Sequence, residues 1–150
     1  MKRAAGFVGM TLLFLGACSP SSSDPRGAVV KFLKAVRASD TLAILRAVTF
    51  EAPYTLLPDT GIDRGTARAD TVMMARLAQA LTFGGAVYDR WVDKQMVVGD
   101  ALPAGRDSAE VEVSFLSRRT GIQYYNKFGL TKRGKVWQIY SFKTQKGPSP

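Results

Sequence analysis

A lone thiol and a scatter of carboxylates set the reactive repertoire of this chain. Cys18 is the single cysteine among 150 residues, and histidine is absent. Without imidazole, Ser-His-Asp and Cys-His activation are excluded and the commonest metal ligand is missing. With one thiol, thiolate metal clusters and an intrachain disulfide are excluded as well. Neither a metal nor a cofactor is expected, and no catalytic residue is assigned. Any acid-base chemistry has carboxylate, tyrosine, lysine or serine to use.

Glu110 and Glu112 stand two apart on an expected strand, which puts both carboxylates on one sheet face roughly 7 Å apart. In the expected register that face also carries Ser114, Lys127, Thr131 and Gln138, with Glu112 diagonal to Lys127. Such a mixture reads as a wet sheet face with cross-strand ion pairing, not as an acid and its base. GLTKRGK, residues 129–135, comes close to a phosphate-binding loop, but Val136 stands where Ser or Thr is needed. That loop also joins a strand to a helix, whereas this segment joins two strands and reads as a hairpin turn.

The third constellation is a face that turns polar. With two-residue turns at Thr120-Gly121 and Arg133-Gly134, Arg119 faces Ile122 and Lys132 faces Lys135, and turn geometry then sets the register. Val111, Leu130 and Trp137 form one apolar row, and Val113, Phe128 and Ile139 the next. The following rows are Phe115, Asn126, Ser141 and then Ser117, Tyr124, Lys143. This is either the sheet rim reaching water or a cavity wall with a few placed hydrogen-bonding groups. Phe115, Tyr124, Asn126 and Ser141 are the candidate ligand-binding residues, with Trp91 or Tyr88 available from the preceding strand.

Three helices must position that face. Asp24 caps and Pro25 opens a helix over 25–38, with Val29, Phe32, Leu33 and Val36 on one side. Ser39 and Asp40 break and recap the chain for a short helix carrying Leu42, Leu45 and Val48. Residues 51–70, with two prolines and two glycines, read as a loop. Asp70 caps a third helix whose face holds Met73, Met74, Leu77, Ala78 and Leu81, and Gly84-Gly85 ends it. Alternation from Ala86 to Val98 predicts the first of four strands, and residues 99–107 a turn.

Cys18 needs its own explanation. Lys2 and Arg3 precede 14 residues of apolar character, Ala4 to Ala17, too short for a good membrane span and arranged like an export signal. Leu15, Gly16, Ala17 and Cys18 resemble the bacterial lipobox, which implies signal-peptidase recognition of the first three, cleavage before Cys18 and lipidation of its thiol, as with palmitate. Residues 1–17 are thus expected as a lipoprotein signal peptide, 18–24 as lipidated cysteine and tether, and 25–150 as one α+β domain. Two acyl chains hold a protein on a bilayer where one does so only marginally. Ser19 is not the aspartate of inner-membrane retention, which places the anchor at the periplasmic side of the outer membrane in a source with two membranes.

The chain carries a formal +9, and loss of Lys2 and Arg3 leaves 19 basic against 12 acidic residues. An exported domain meets little nucleic acid, so acidic lipid or envelope polymer is the expected neighbour of that charge. VVKFLKAVRASDTLAIL and GKVWQIYSF resemble the opening helices and the last strand of uncharacterised bacterial lipoproteins in the nuclear-transport-factor-2-like superfamily. The resemblance implies helices over a curved four-stranded antiparallel sheet, a cone with an internal cavity, and a homodimer in many members. It implies no single activity. The expected function is non-enzymatic binding of a small molecule or a partner; the alternative is an isomerase, cyclase or dehydratase of the cone type, with Asp40, Asp89 or Asp93 acting beside Tyr124.

A Cys18→Ser chain should lose metabolic palmitate labelling and leave the membrane fraction on export. Retention of label and membrane association by that variant would sink the lipidation reading.

Overall fold

The computed structural model describes residues 24–50, 54–57, 61–65 and 70–147. Leu15, Gly16, Ala17 and Cys18, with the expected signal and tether, lie outside them. Helix α1, Pro25–Arg37, begins as its sequence dictates: the Asp24 carboxylate accepts the Gly27 amide at 2.9 Å, and proline fills the first turn. It ends in a Schellman turn, with the Ser39 amide on the Val36 carbonyl and the Asp40 amide on that of Ala35. Ser39 holds the left-handed position, φ +52°, and its hydroxyl accepts the Phe83 amide at 3.0 Å. Asp40 and Asp70 cap α2, Thr41–Ala47, and α3, Thr71–Leu81, in the same way as Asp24 caps α1.

The expected α+β class holds, and its details change. A hairpin of β1, Tyr54–Leu57, and β2, Gly61–Arg64, stands where a loop was expected. Ala86–Trp91 is a fourth helix, α4, instead of a strand. Val87, Tyr88 and Trp91 are its buried residues, and burial of neighbours 87 and 88 breaks the period of two that a strand requires. Strand β3, Gln95–Gly105, then runs through the expected turn, with irregular pairing between Val98 and Ala101 and between Pro103 and Gly105. It is an edge strand, where bulges and a proline are tolerated because one side of the backbone has no partner.

With β4, Ser108–Leu116, β5, Gln123–Arg133, and β6, Val136–Lys146, the strands form one six-stranded antiparallel sheet, ordered β1-β2-β6-β5-β4-β3. Its register departs from the expected one. The β4–β5 connection is the closed turn Ser117–Ile122, so Val111 faces Phe128 and Val113 faces Asn126. The β5–β6 turn is Gly134-Lys135, and a bulge follows between Gly129 and Leu130: Leu130 faces Ile139, yet Phe128 faces Phe142. Tyr140 and Ser141 together oppose Gly129, whose missing side chain leaves room for the Tyr140 ring and the Ser141 hydroxyl. GLTKRGK is therefore the end of β5 and the two-residue turn that leads into β6, as expected for a hairpin.

The interior is aromatic. Trp91 stacks on Phe115 at 5.0 Å between ring centres and Phe128 on Phe142 at 5.5 Å, while Phe32 meets Phe128 edge-on at 5.9 Å. On the outer face Lys127 pairs with Glu110 at 3.2 Å, and Glu112 lies directly opposite Lys127, reversing the expected diagonal. No helix among the described residues is long and apolar enough to cross a membrane.

At Gly61, φ is +143° and a side-chain carbon would stand 2.1 Å from the Phe142 carbonyl oxygen. At Gly134, φ is +59° and the space is open. Gly61→Ala should therefore destabilise by about 3 kcal/mol and Gly134→Ala by about 1 kcal/mol in urea unfolding. Equal losses would show that steric exclusion at β2–β6 is unimportant.

Candidate ligand-binding site

The sheet brings Phe115, Tyr124 and Asn126 to one face, with Phe115 directly opposite Tyr124 and Asn126 between Val113 and Thr144. Ser141 is on the other face, because the bulge reverses the alternation of β6 before residue 142. Thr144 occupies the inward place beside Asn126 instead. Its hydroxyl oxygen accepts from Asn126 Nδ2 at 2.9 Å and from Trp91 Nε1 at 3.2 Å. Asn126 Oδ1 is buried with no partner among the described protein atoms. Trp91 and Phe115 are wholly buried, Asn126 is 1% exposed and Thr144 4%. At this depth the face is a packed core wall with one polar knot.

Open space lies at the other end of the sheet. A cavity of about 560 Å³ separates α1, α2 and the start of β6. Its size follows from small residues: Ala28 and Ala35 on α1 look across at Ala43 and Ala47 on α2. Trp137 supplies accessible aromatic surface from a half-buried place on β6, and the wholly buried Phe32 backs the wall from the core. Leu42 and Val136 border the opening, with 58% and 45% of their surface exposed. The expected helical face of α2 is rotated accordingly, since Ile44 enters the core and Leu42 does not. Lys31, Arg46 and Asp40 supply charge at the rim. One oxygen of Asp40 is committed to the Ala43 amide at 3.0 Å.

Apolar lining, a volume within the usual ligand range and few polar groups suit a small organic molecule. Proton transfer has less to draw on. Asp40, Asp89 and Asp93 are all exposed, and no described carboxylate is buried. The residues lining this cavity escaped the sequence reading because alanine signals helix before it signals space. The available hint was the pairing of small residues seven apart on one helix with four apart on the next.

No protein-family model matches the chain, and no curated protein matches it significantly. Among solved structures it is similar to a ketosteroid isomerase-like protein from Erwinia carotovora atroseptica, with 19% identity and a TM-score of 0.53, covering 84% of this chain and 96% of that one. An NTF2-like protein of unknown function from Shewanella baltica gives 14% identity and a TM-score of 0.51, covering 81% and 90%. The fold is the NTF2-like cone. At such identities the likeness extends to architecture alone. Within that architecture the sheet carries six strands, two of them from the hairpin between α2 and α3.

Removing the shared acceptor should be costly. Thr144→Val leaves Trp91 and Asn126 donors buried without a partner and should lower stability by about 2–3 kcal/mol. Asn126→Leu added to it should recover part of that loss, because the two changes share one contact. Additive losses in the double variant would mean that the hydroxyl does not serve both donors.

Proposed function

We propose that this protein is a lipid-anchored resident of the cell envelope, held through Cys18, whose NTF2-like domain binds a small, largely apolar molecule without converting it. Support for the anchor is the signal-like segment that ends at Cys18. Support for binding is the α1–α2–β6 cavity of about 560 Å³, with Trp137 as its accessible aromatic surface. Burying a flat apolar ligand there gains roughly 25 cal/mol for each Å² removed from water, while Lys31 and Arg46 stand ready for one acidic substituent. The isomerase-type alternative, which the name of the Erwinia protein raises, requires an acid or base within reach of Tyr124. No described carboxylate is buried to act there, so binding is the better-supported reading.

Trp91 is sealed in the core, whereas Trp137 borders the cavity. A neutral apolar dye such as Nile red should bind the purified protein and change Trp137 emission, a change lost in Trp137→Phe. Filling the space by Ala43→Phe should weaken the dye about tenfold, equivalent to about 1.4 kcal/mol, and Asn126→Leu should leave it unchanged. Undiminished dye binding by the Ala43→Phe protein would place the ligand elsewhere.

A further inference from the structure

A second hollow, of about 670 Å³, lies at the end of the sheet where β3 begins and β4 ends, opposite to the apolar cavity. Its character is different. Arg37 closes α1, Lys94 follows α4, and Arg118 and Arg119 come from the Ser117–Ile122 turn. One carboxylate, Asp93, is present, but it is already ion-paired with Lys94. The hydrogen bond from Lys94, with the nearby charges of Lys94 and Arg119, holds the Asp93 carboxyl below the usual carboxylate range. Four cations and one anion leave the hollow with a formal +3 at neutral pH.

Charge compensation at a helix C-terminus accounts for Arg37. It does not account for Arg118 and Arg119, which sit in a turn between strands. Two of the guanidiniums are also held in place. Arg37 Nη2 donates to the Lys94 carbonyl at 3.2 Å, and Arg118 Nε donates to Gln95 Oε1 at 3.0 Å. Each contact uses one of the five donors on a guanidinium and leaves the rest for a ligand. Ser117, only 7% exposed, adds a hydroxyl to the wall. Arg37, Arg118 and Arg119 are exposed at this hollow, so an anion in solution can reach them.

We propose that this hollow binds the phosphate group of an oxyanion ligand, gripped by Arg37, Arg118 and Arg119. Planar guanidinium forks match phosphate oxygens in pairs, which a single ammonium cannot do. A lone carboxylate would balance one of the three net charges, whereas a pyrophosphate-like group balances nearly all of them. A free phosphate-bearing solute and a phospholipid head group offer these guanidiniums the same oxygens.

The test is calorimetric titration of the full chain, purified in neutral detergent, with pyrophosphate at constant ionic strength in chloride. Saturable binding is expected, weakened at least about tenfold by Arg118→Gln with Arg119→Gln. Lys132→Gln with Lys135→Gln removes the same charge at the far turn and should leave affinity unchanged. A parallel arm uses the Cys18→Ser chain, without the anchor, and vesicles of phosphatidylcholine with and without phosphatidylglycerol. Vesicle binding that needs both phosphatidylglycerol and the two arginines supports the site and assigns its phosphate to a lipid; arginine-dependent pyrophosphate binding without it assigns a free solute. If neither probe depends on Arg118 and Arg119, or if the lysine pair weakens binding equally, the proposal is overturned.

Discussion

The interior depends on one residue more in β6 than in β5. Between Ile139 and Phe142 the strand carries Tyr140 and Ser141 against Gly129 alone, so both Ile139 and Phe142 point inward although they are three apart. A bulge forfeits a regular ladder position. Burial of a phenylalanine side chain offsets that with about 2–3 kcal/mol. Phe142 can then stack on Phe128, and Thr144, two residues on, reaches Trp91 and Asn126. With strict alternation, Phe142 and Thr144 would face away from the helices.

The same displacement decides where ligand space can exist. A cone wall bearing Asn126 invites a cavity, but Trp91 covers Phe115 and spends its indole hydrogen on Thr144. The interior is closed there by an aromatic side chain from a helix of six residues. Space opens instead where alanines meet between α1 and α2. Helix α1 consequently contributes to two dissimilar hollows, with Ala28 and Ala35 in the wall of the apolar one and Arg37 in that of the cationic one. Separation along one rigid helix lets the two differ in charge without either perturbing the other.

The edges of β6 show how distant segments complete the sheet. Val48 bridges Ile139 and the Thr49 amide bonds its carbonyl at 2.9 Å, so the chain leaving α2 serves the first half of that strand. Strand β2 serves the second half, pairing Ile62 with Phe142. The segment over residues 51–70 had no period of its own to announce a strand. Ile62, 2% exposed, is an isolated apolar residue among turn-formers, and it becomes core only because β6 offers a free edge.

What the amino-acid order alone determined is local or compositional. Three aspartates announce three helix starts, because a cap is completed within four residues of itself. The absence of histidine and of a second cysteine bounds the chemistry without any fold. The apolar faces of β4 and β5 were legible too, since their register shifted by two residues and a shift of two preserves the faces. Tertiary structure alone decided that residues 86–91 coil, that β3 passes through Gly99 and Pro103, that Ser141 faces outward and that Arg37 joins Arg118 and Arg119. Each of those outcomes depends on which distant surface a segment meets, and the free energy of that meeting exceeds the small local preferences from which a sequence is read.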